Sequence, residues 1–272
     1  YKSMPIDDTI LKIMTNSIHS NVLIVGGGCA GISVASRLHS LKSDLNISII
    51  EPSDKSLYQA AWTLVGAGAY DVGSTIKQMS EVMPSYVKWI KEYAEEFMPE
   101  TNSVKTNNGT YTYDFLVVCP GLKLNFDGVA GLKEHLGKNN VCTNYSAEMA
   151  TYTWECLKNL DGGTLLFTEP PMPIKCAGAP QKIAYLAADH LKKKDKLNES
   201  HLEFLCAKPV IFGVPHFQGP LNEVCDSYGI KRSFQHNLIS VDGNLKEAVF
   251  KQSDKDGNTK EVTKKFDFIH VT

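Results

Sequence analysis

Asn21-Val-Leu-Ile-Val-Gly26-Gly-Gly28-Cys29-Ala30-Gly31 is the stretch that decides the fold. The Val-Leu-Ile-Val run has the β-branched, all-apolar character of a short strand covered on both faces of a parallel sheet. It runs directly into glycines, and apolar positions at helical spacing follow through Ala35, Leu38 and Leu41. A second strand is predicted over residues 45–50, and Glu51 comes next, 20 positions after Gly31. An isolated glycine string marks no more than a tight turn. Between a strand and a helix, with an acid at that distance, it is a dinucleotide fingerprint. Gly26 makes the turn, Gly28 admits the backbone to a pyrophosphate, and Gly31 lets helix and strand pack closely. The helix N-terminus faces the phosphates, and Glu51 accepts from ribose hydroxyls.

Outward from this unit, residues 87–97, 103–105 and 110–113 read as a meander, with Asn107-Asn108-Gly109 as a hairpin turn. It closes on Tyr113-Asp-Phe-Leu-Val-Val118. The same plan then recurs. Residues 164–167 form a buried strand, 180–193 a helix and 201–205 a second strand. Residues 234–265 form another meander, turning at Asp242-Gly243 and Asp256-Gly257. The repeat ends on Phe266-Asp-Phe-Ile-His-Val271, the pattern of 113–118 again. The fold class is therefore α/β, with tandem Rossmann-type (FAD/NAD(P)-binding-like) domains carrying β-meander insertions. The expected division is an N-terminal extension over 1–19, a first domain over 20–145 and a second over 146–272.

The second domain lacks the glycine device. After residue 167 comes Thr168-Glu-Pro-Pro-Met-Pro-Ile-Lys-Cys-Ala-Gly-Ala-Pro180, where prolines remove donors and Glu169 repels phosphate. Cys176 lies in this loop, after Lys175 and before a helix starting near Pro180. A cation and a helix N-terminus both favour the reactive thiolate, so Cys176 is the candidate redox or nucleophilic residue; the competing role is a small packing side chain. The other cysteines fall on strands or amphipathic helices and read as core, except Cys29 in the glycine loop. Asp254-Lys-Asp-Gly-Asn258 resembles the start of a calcium loop, but Lys265 stands where the closing glutamate belongs, so it reads as a turn and no metal site is expected.

With 272 residues the chain holds two modest cores, and a net charge of −2 argues against nucleic acid. No run of about 18 apolar residues suits a membrane helix, so any membrane contact is expected through a segment absent from this chain. Seven scattered cysteines, with no CxxC, suit reduced thiols inside a cell. The chain starts at Tyr1 and stops within an apolar strand, which reads as a C-terminally incomplete fragment with uncovered apolar surface beside residues 266–272.

Several motifs together resemble mitochondrial-type sulfide:quinone oxidoreductase: the glycine loop, Glu51-Pro-Ser53, Tyr58-Gln59, Trp62-Thr-Leu-Val-Gly-Ala-Gly68 and Ile174-Lys-Cys-Ala-Gly-Ala-Pro-Gln-Lys-Ile183. The resemblance runs from about residue 20 to the end. It implies that hydrogen sulfide is oxidised through a cysteine persulfide on Cys176, with electrons passing through FAD to ubiquinone and the sulfane sulfur leaving to glutathione or sulfite. It further implies FAD contacts at Gly26, Gly28, Cys29, Ala30, Gly31, Glu51, Gln59 and the backbone of Ala94, and a peripheral place on the mitochondrial inner membrane. Ser56 and Ala60 depart from the family, which usually has histidine and proline there. Two other functions remain: an NADH:quinone reductase of the same superfamily, and a fragment that binds FAD without turnover.

Overall fold

The computed structural model describes residues 18–272. The expected N-terminal extension lies outside the described residues, except that Ile18 and His19 already belong to the first strand. Contacts divide the described residues into two compact units, one of 18–58 with 76–122, the other of 59–75 with 123–272.

The first unit is built on β1 (Ile18–Val25), α1 (Cys29–Leu41), β2 (Ile47–Ile50), a small antiparallel pair β3 (Lys55–Leu57) and β4 (Ile76–Gln78), then β5 (Val87–Ile90), β6 (Ala94–Met98), β7 (Ser103–Thr106) and β8 (Thr110–Val118). Its six-stranded sheet runs β5-β2-β1-β8-β7-β6, with β5, β2, β1 and β8 parallel. Successive residues of β1 serve opposite faces, as the period of 2 requires. Leu23 and Val25 pack with Ile50, Val104 and Tyr111, whereas Val22 and Ile24 pack with Ala35 of α1 and with Ile47 and Ile49. Each such side chain contributes roughly 1.5–3 kcal/mol over its exposed state. That double cover is why the run is uniformly apolar.

Two details differ from the sequence pattern. Residues 87–97 are not one meander segment: Val87–Ile90 pairs in parallel with β2, and only Ala94–Met98 belongs to the antiparallel hairpin. β5 is an edge strand with Lys88 exposed, so it lacks the uniformly apolar run of the central parallel strands. Residues 110–113 and 113–118 form the single strand β8, whose first part pairs with β7 while the whole of it pairs with β1.

The second unit comprises β9 (Val141–Cys142), α2 (Ala147–Asn159), β10 (Gly163–Glu169), α3 (Ala179–Lys193), β11 (Ser200–Cys206), α4 (Pro215–Ser227), β12 (Lys231–Phe234), β13 (His236–Asp242), β14 (Glu247–Ser253), β15 (Thr259–Lys265) and β16 (Phe268–His270). A parallel sheet runs β12-β11-β10-β16-β9, and β13-β14-β15 is an antiparallel sheet of its own. The order β12-β11-β10-β16 repeats β5-β2-β1-β8, so the duplication read from the sequence is a duplication of topology. Leu165 and Phe167 pack with Ile183, Ala187 and Leu191 of α3, while Leu166 between them packs with Val241, Ala248 and Phe250 of the meander.

The expected apolar exposure beside residues 266–272 is corrected by β16, which lies inside the sheet between β10 and β9 with Phe268, Ile269 and His270 fully buried. β9 supplies that cover and draws residues 123–145 into the second unit, whereas the sequence pattern places the division at 145/146. A two-residue strand leaves too short a pattern to be read.

Candidate functional site

In the first unit the glycine loop joins β1 to α1. Gly26 has φ +108, and a Cβ there would stand 2.2 Å from the Cys119 carbonyl oxygen. A Cβ on Gly31 would stand 1.9 Å from the Gly26 carbonyl oxygen. Both glycines are thus required by the protein's own packing. Gly28 is different: it is extended, at φ −73 and ψ −170, and its Cβ would meet nothing within 4 Å. The protein's own packing does not demand a glycine there, and its bare Cα leaves room for a ligand to approach the backbone. Gly28 caps α1 with no side-chain hydrogen bond, no acidic residue lies in the first turn, and Cys29 and Ala30 follow. Such a turn presents free N–H groups and the positive end of the helix dipole to an anion. The cradle fits the pyrophosphate of a dinucleotide.

Glu51 stands at the end of β2. Its Oε2 accepts from the Gly27 N–H and its Oε1 from the Ser53 N–H, both at 2.8 Å, and its carbonyl accepts from Trp89 Nε1 at 2.7 Å. Ala94 opens β6 and packs on the cluster holding Val25 and Ile50, the strand ends that lead into the glycine loop and Glu51.

In the second unit, Cys176 is exposed at φ +54, and its carbonyl accepts from the Ala179 N–H at 3.0 Å as α3 begins. The hydroxyl of buried Tyr145 donates to the carbonyls of Lys175, at 2.8 Å, and of Cys176, at 3.2 Å. Burial, and then the charge at Cys176, push the Tyr145 phenol above its ordinary pKa, so it remains a donor. Lys175 Nζ donates to Gln59 Oε1 and lies 5.3 Å from the Trp62 ring centre and 5.8 Å from that of Tyr145. Burial lowers the Lys175 pKa, opposed by the charge at Cys176. Gln59 therefore touches the neighbour of the candidate cysteine, within the second unit.

At the end of β10, the place Gly26 takes after β1, stands Glu169, fully buried and ion-paired with Lys208. Cys206 Sγ lies 3.6 Å from its Oε2. Burial raises the Glu169 pKa against the lowering effect of Lys208, and burial together with Glu169 pushes the Cys206 thiol up to about 12. Cys142, Cys156 and Cys225 are also buried, and Cys119 is half-buried, so Cys29 and Cys176 are the exposed thiols among the described residues. The 254–258 segment is a hairpin turn closed by the Asp254 carboxylate on the amides of Asp256 and Asn258. No cluster of metal-ligating side chains occurs among the described residues.

Residues 20–151 match the pyridine nucleotide-disulphide oxidoreductase family, a flavin-binding fold. Over 93% of its length the chain is 41% identical to the mitochondrial sulfide:quinone oxidoreductase of Dictyostelium discoideum, and over 93% it is 36% identical to that of Mus musculus. Over nearly all of its own length this chain is similar to mitochondrial sulfide:quinone oxidoreductases. It spans 55% and 56% of the lengths of those two relatives. The crystal structure of the sulfide:quinone oxidoreductase of Aquifex aeolicus has the same fold, with a TM-score of 0.74 at 24% identity over 93% of this chain and 58% of that one.

Several residues around these motifs escape a reading of sequence. Gly27 sits at a nominally variable position, yet a Cβ there would stand 2.7 Å from Cβ and Cγ of Glu51. Within 62–68, a Cβ on Gly66 would stand 2.1 Å from Asn144 Oδ1, and Gly68, at φ +71, would meet the Trp154 ring at 2.4 Å. Those glycines let the segment dock on its own unit. Tyr145 and Lys208 carry no sequence signal, because each acts through a neighbour distant in the chain, and the contact of Trp62 with Lys175 is invisible in its motif for the same reason. His270 is fully buried; its Nε2 accepts from the Asn144 N–H at 3.0 Å, and burial lowers its pKa to about 3.

Proposed function

We propose that this chain provides the dinucleotide-binding and sulfur-handling units of an FAD-dependent sulfide:quinone oxidoreductase. One observation carries the reading. Cys176 is a solvent-exposed thiol in a turn that Tyr145 braces, at the start of a helix and beside Lys175. In this reading the first unit holds FAD and the second carries the redox cysteine. Gly26, Gly28 and Gly31 shape the cradle, and the N–H groups at Cys29 and Ala30 face the pyrophosphate. Glu51 turns to the ribose and Ala94 lies by the adenine.

The chemistry follows from thiol–disulfide exchange. The step requires Cys176 to be oxidised first, in a disulfide with a second cysteine of the whole protein; hydrosulfide attacks Cys176 Sγ, the new S–S bond leaves a persulfide on Cys176, and the second cysteine departs as thiolate with the bonding pair. An acceptor nucleophile such as glutathione thiolate or sulfite then takes the outer sulfur, and Cys176 is left as thiolate. The two thiolates now hold the electron pair taken from sulfide. FAD, when bound, is the two-electron acceptor between this pair and ubiquinone.

An NADH:quinone reductase needs a phosphate cradle at the end of β10, where Glu169 and Lys208 stand instead. An inner-mitochondrial-membrane, peripheral location is part of the proposal, supported by relatives named mitochondrial. Among the described residues no helix is long and apolar enough to cross a membrane. The test is sulfide-dependent quinone reduction by the whole protein, with mass spectrometry of Cys176 after sulfide treatment. We expect one added sulfur on Cys176, and Cys176→Ser to lose turnover while FAD is retained. Unchanged turnover in Cys176→Ser overturns the reading.

A further inference from the structure

We propose that Lys175 is a charge-selecting residue, which favours anionic over neutral reactants at Cys176. The proposal rests on Cys176 being the sulfur-handling residue and adds what that site discriminates. It starts from how the ammonium is held. Its contacts are the neutral carboxamide of Gln59 and the faces of Trp62 and Tyr145. Aromatic faces attract a cation through their quadrupole but do not cancel its charge. None of these partners is a carboxylate, so the positive charge stays available to an incoming group.

The ammonium is also fixed relative to the cysteine. The Tyr145 ring lies under Lys175 Nζ, and the hydroxyl of that ring binds the carbonyls of both Lys175 and Cys176. One side chain thus ties the charge and the thiol into a single rigid element. A freely rotating surface lysine would spend most of its time in solvent, screened from the thiol. At Cys176 both proposed nucleophiles are anionic: hydrosulfide attacks the disulfide, and a thiolate or sulfite later removes the outer sulfur. Hydrogen sulfide itself and neutral thiols are the poorer nucleophiles, and a fixed uncompensated cation disfavours them further relative to their anions.

The experiment compares two alkylating reagents that differ only in charge, iodoacetate and iodoacetamide, on Cys176 of the folded chain. Rates at Cys176 are read by mass-spectrometric mapping. The iodoacetate-to-iodoacetamide ratio should fall roughly threefold in Lys175→Met, the size of a Coulomb interaction between charges about 7 Å apart in a water-like medium. Lys175→Arg should retain the ratio. In the unaltered chain the ratio should decline as salt approaches 1 M, where the Debye length is about 3 Å. A merely structural lysine would change both rates together and leave the ratio alone. An unchanged ratio in Lys175→Met overturns the proposal; should that variant fail to fold, a salt-independent ratio in the unaltered chain overturns it equally. Neither measurement involves sulfide, so a chain that keeps the charge ratio but forms no persulfide refutes the proposed function and leaves Lys175 in its role.

Discussion

Gly28→Val separates the role of the loop in holding a ligand from its role in the fold. Gly28 is extended, at φ −73 and ψ −170, which a valine adopts without strain, and its Cβ meets nothing within 4 Å. The ligand-free chain should therefore keep its stability to within about 1 kcal/mol, the small loss at an N-cap being offset by reduced freedom of the unfolded chain. Flavin binding should not survive. A β-branched side chain at that point holds the pyrophosphate away from the free N–H groups at the start of α1, and losing two charge-assisted hydrogen bonds costs roughly 3–6 kcal/mol, a hundredfold or more in affinity. The assay is an FAD titration followed by flavin fluorescence, alongside urea unfolding of the ligand-free chain. FAD affinity within threefold of the parent would refute the reasoning, as would a large drop in the urea midpoint.

Gly27→Ala should act by another route: its Cβ, 2.7 Å from the Glu51 Cβ and Cγ, displaces the carboxylate from the Gly27 and Ser53 amides. It should lower both stability and FAD affinity, the former by about 1–3 kcal/mol, measurable in the same two titrations. Burial holds His270 at a pKa of about 3 against 6.5 unfolded, so its contribution is complete above pH 6.5 and is lost as pH falls towards 3. The loss is about 1.4 kcal/mol per pH unit, and His270→Gln should flatten that part of the profile; equal slopes for parent and variant would contradict it. Gly66→Ala, driven into Asn144 at 2.1 Å, should loosen the 59–75 segment and speed its proteolysis, while Gly109→Ala, with open space around its Cβ, should not.

What the sequence alone determined is local. The run 21–31 with Glu51 specifies strand, turn, helix and cradle because all its determinants lie within one βαβ unit, where spacing and residue type carry the physics. The recurrence of that plan, and the poverty of 168–180 as a phosphate loop, were legible for the same reason. Cys176 was singled out by its immediate neighbours, Lys175 and the start of α3. Tertiary structure decided whatever depends on residues far apart in the chain. That Tyr145 braces the Cys176 turn, that Gln59 and Trp62 hold Lys175, and that Lys208 meets Glu169 all follow from strands and loops brought together only by folding. The same holds for Val87–Ile90, whose exposed Lys88 is accounted for only once the strand is known to lie at the edge of a parallel sheet. It holds again for β16, whose neighbour β9 is two residues long and invisible to any periodicity. A pattern records which face of an element is buried; it does not record what the element is buried against.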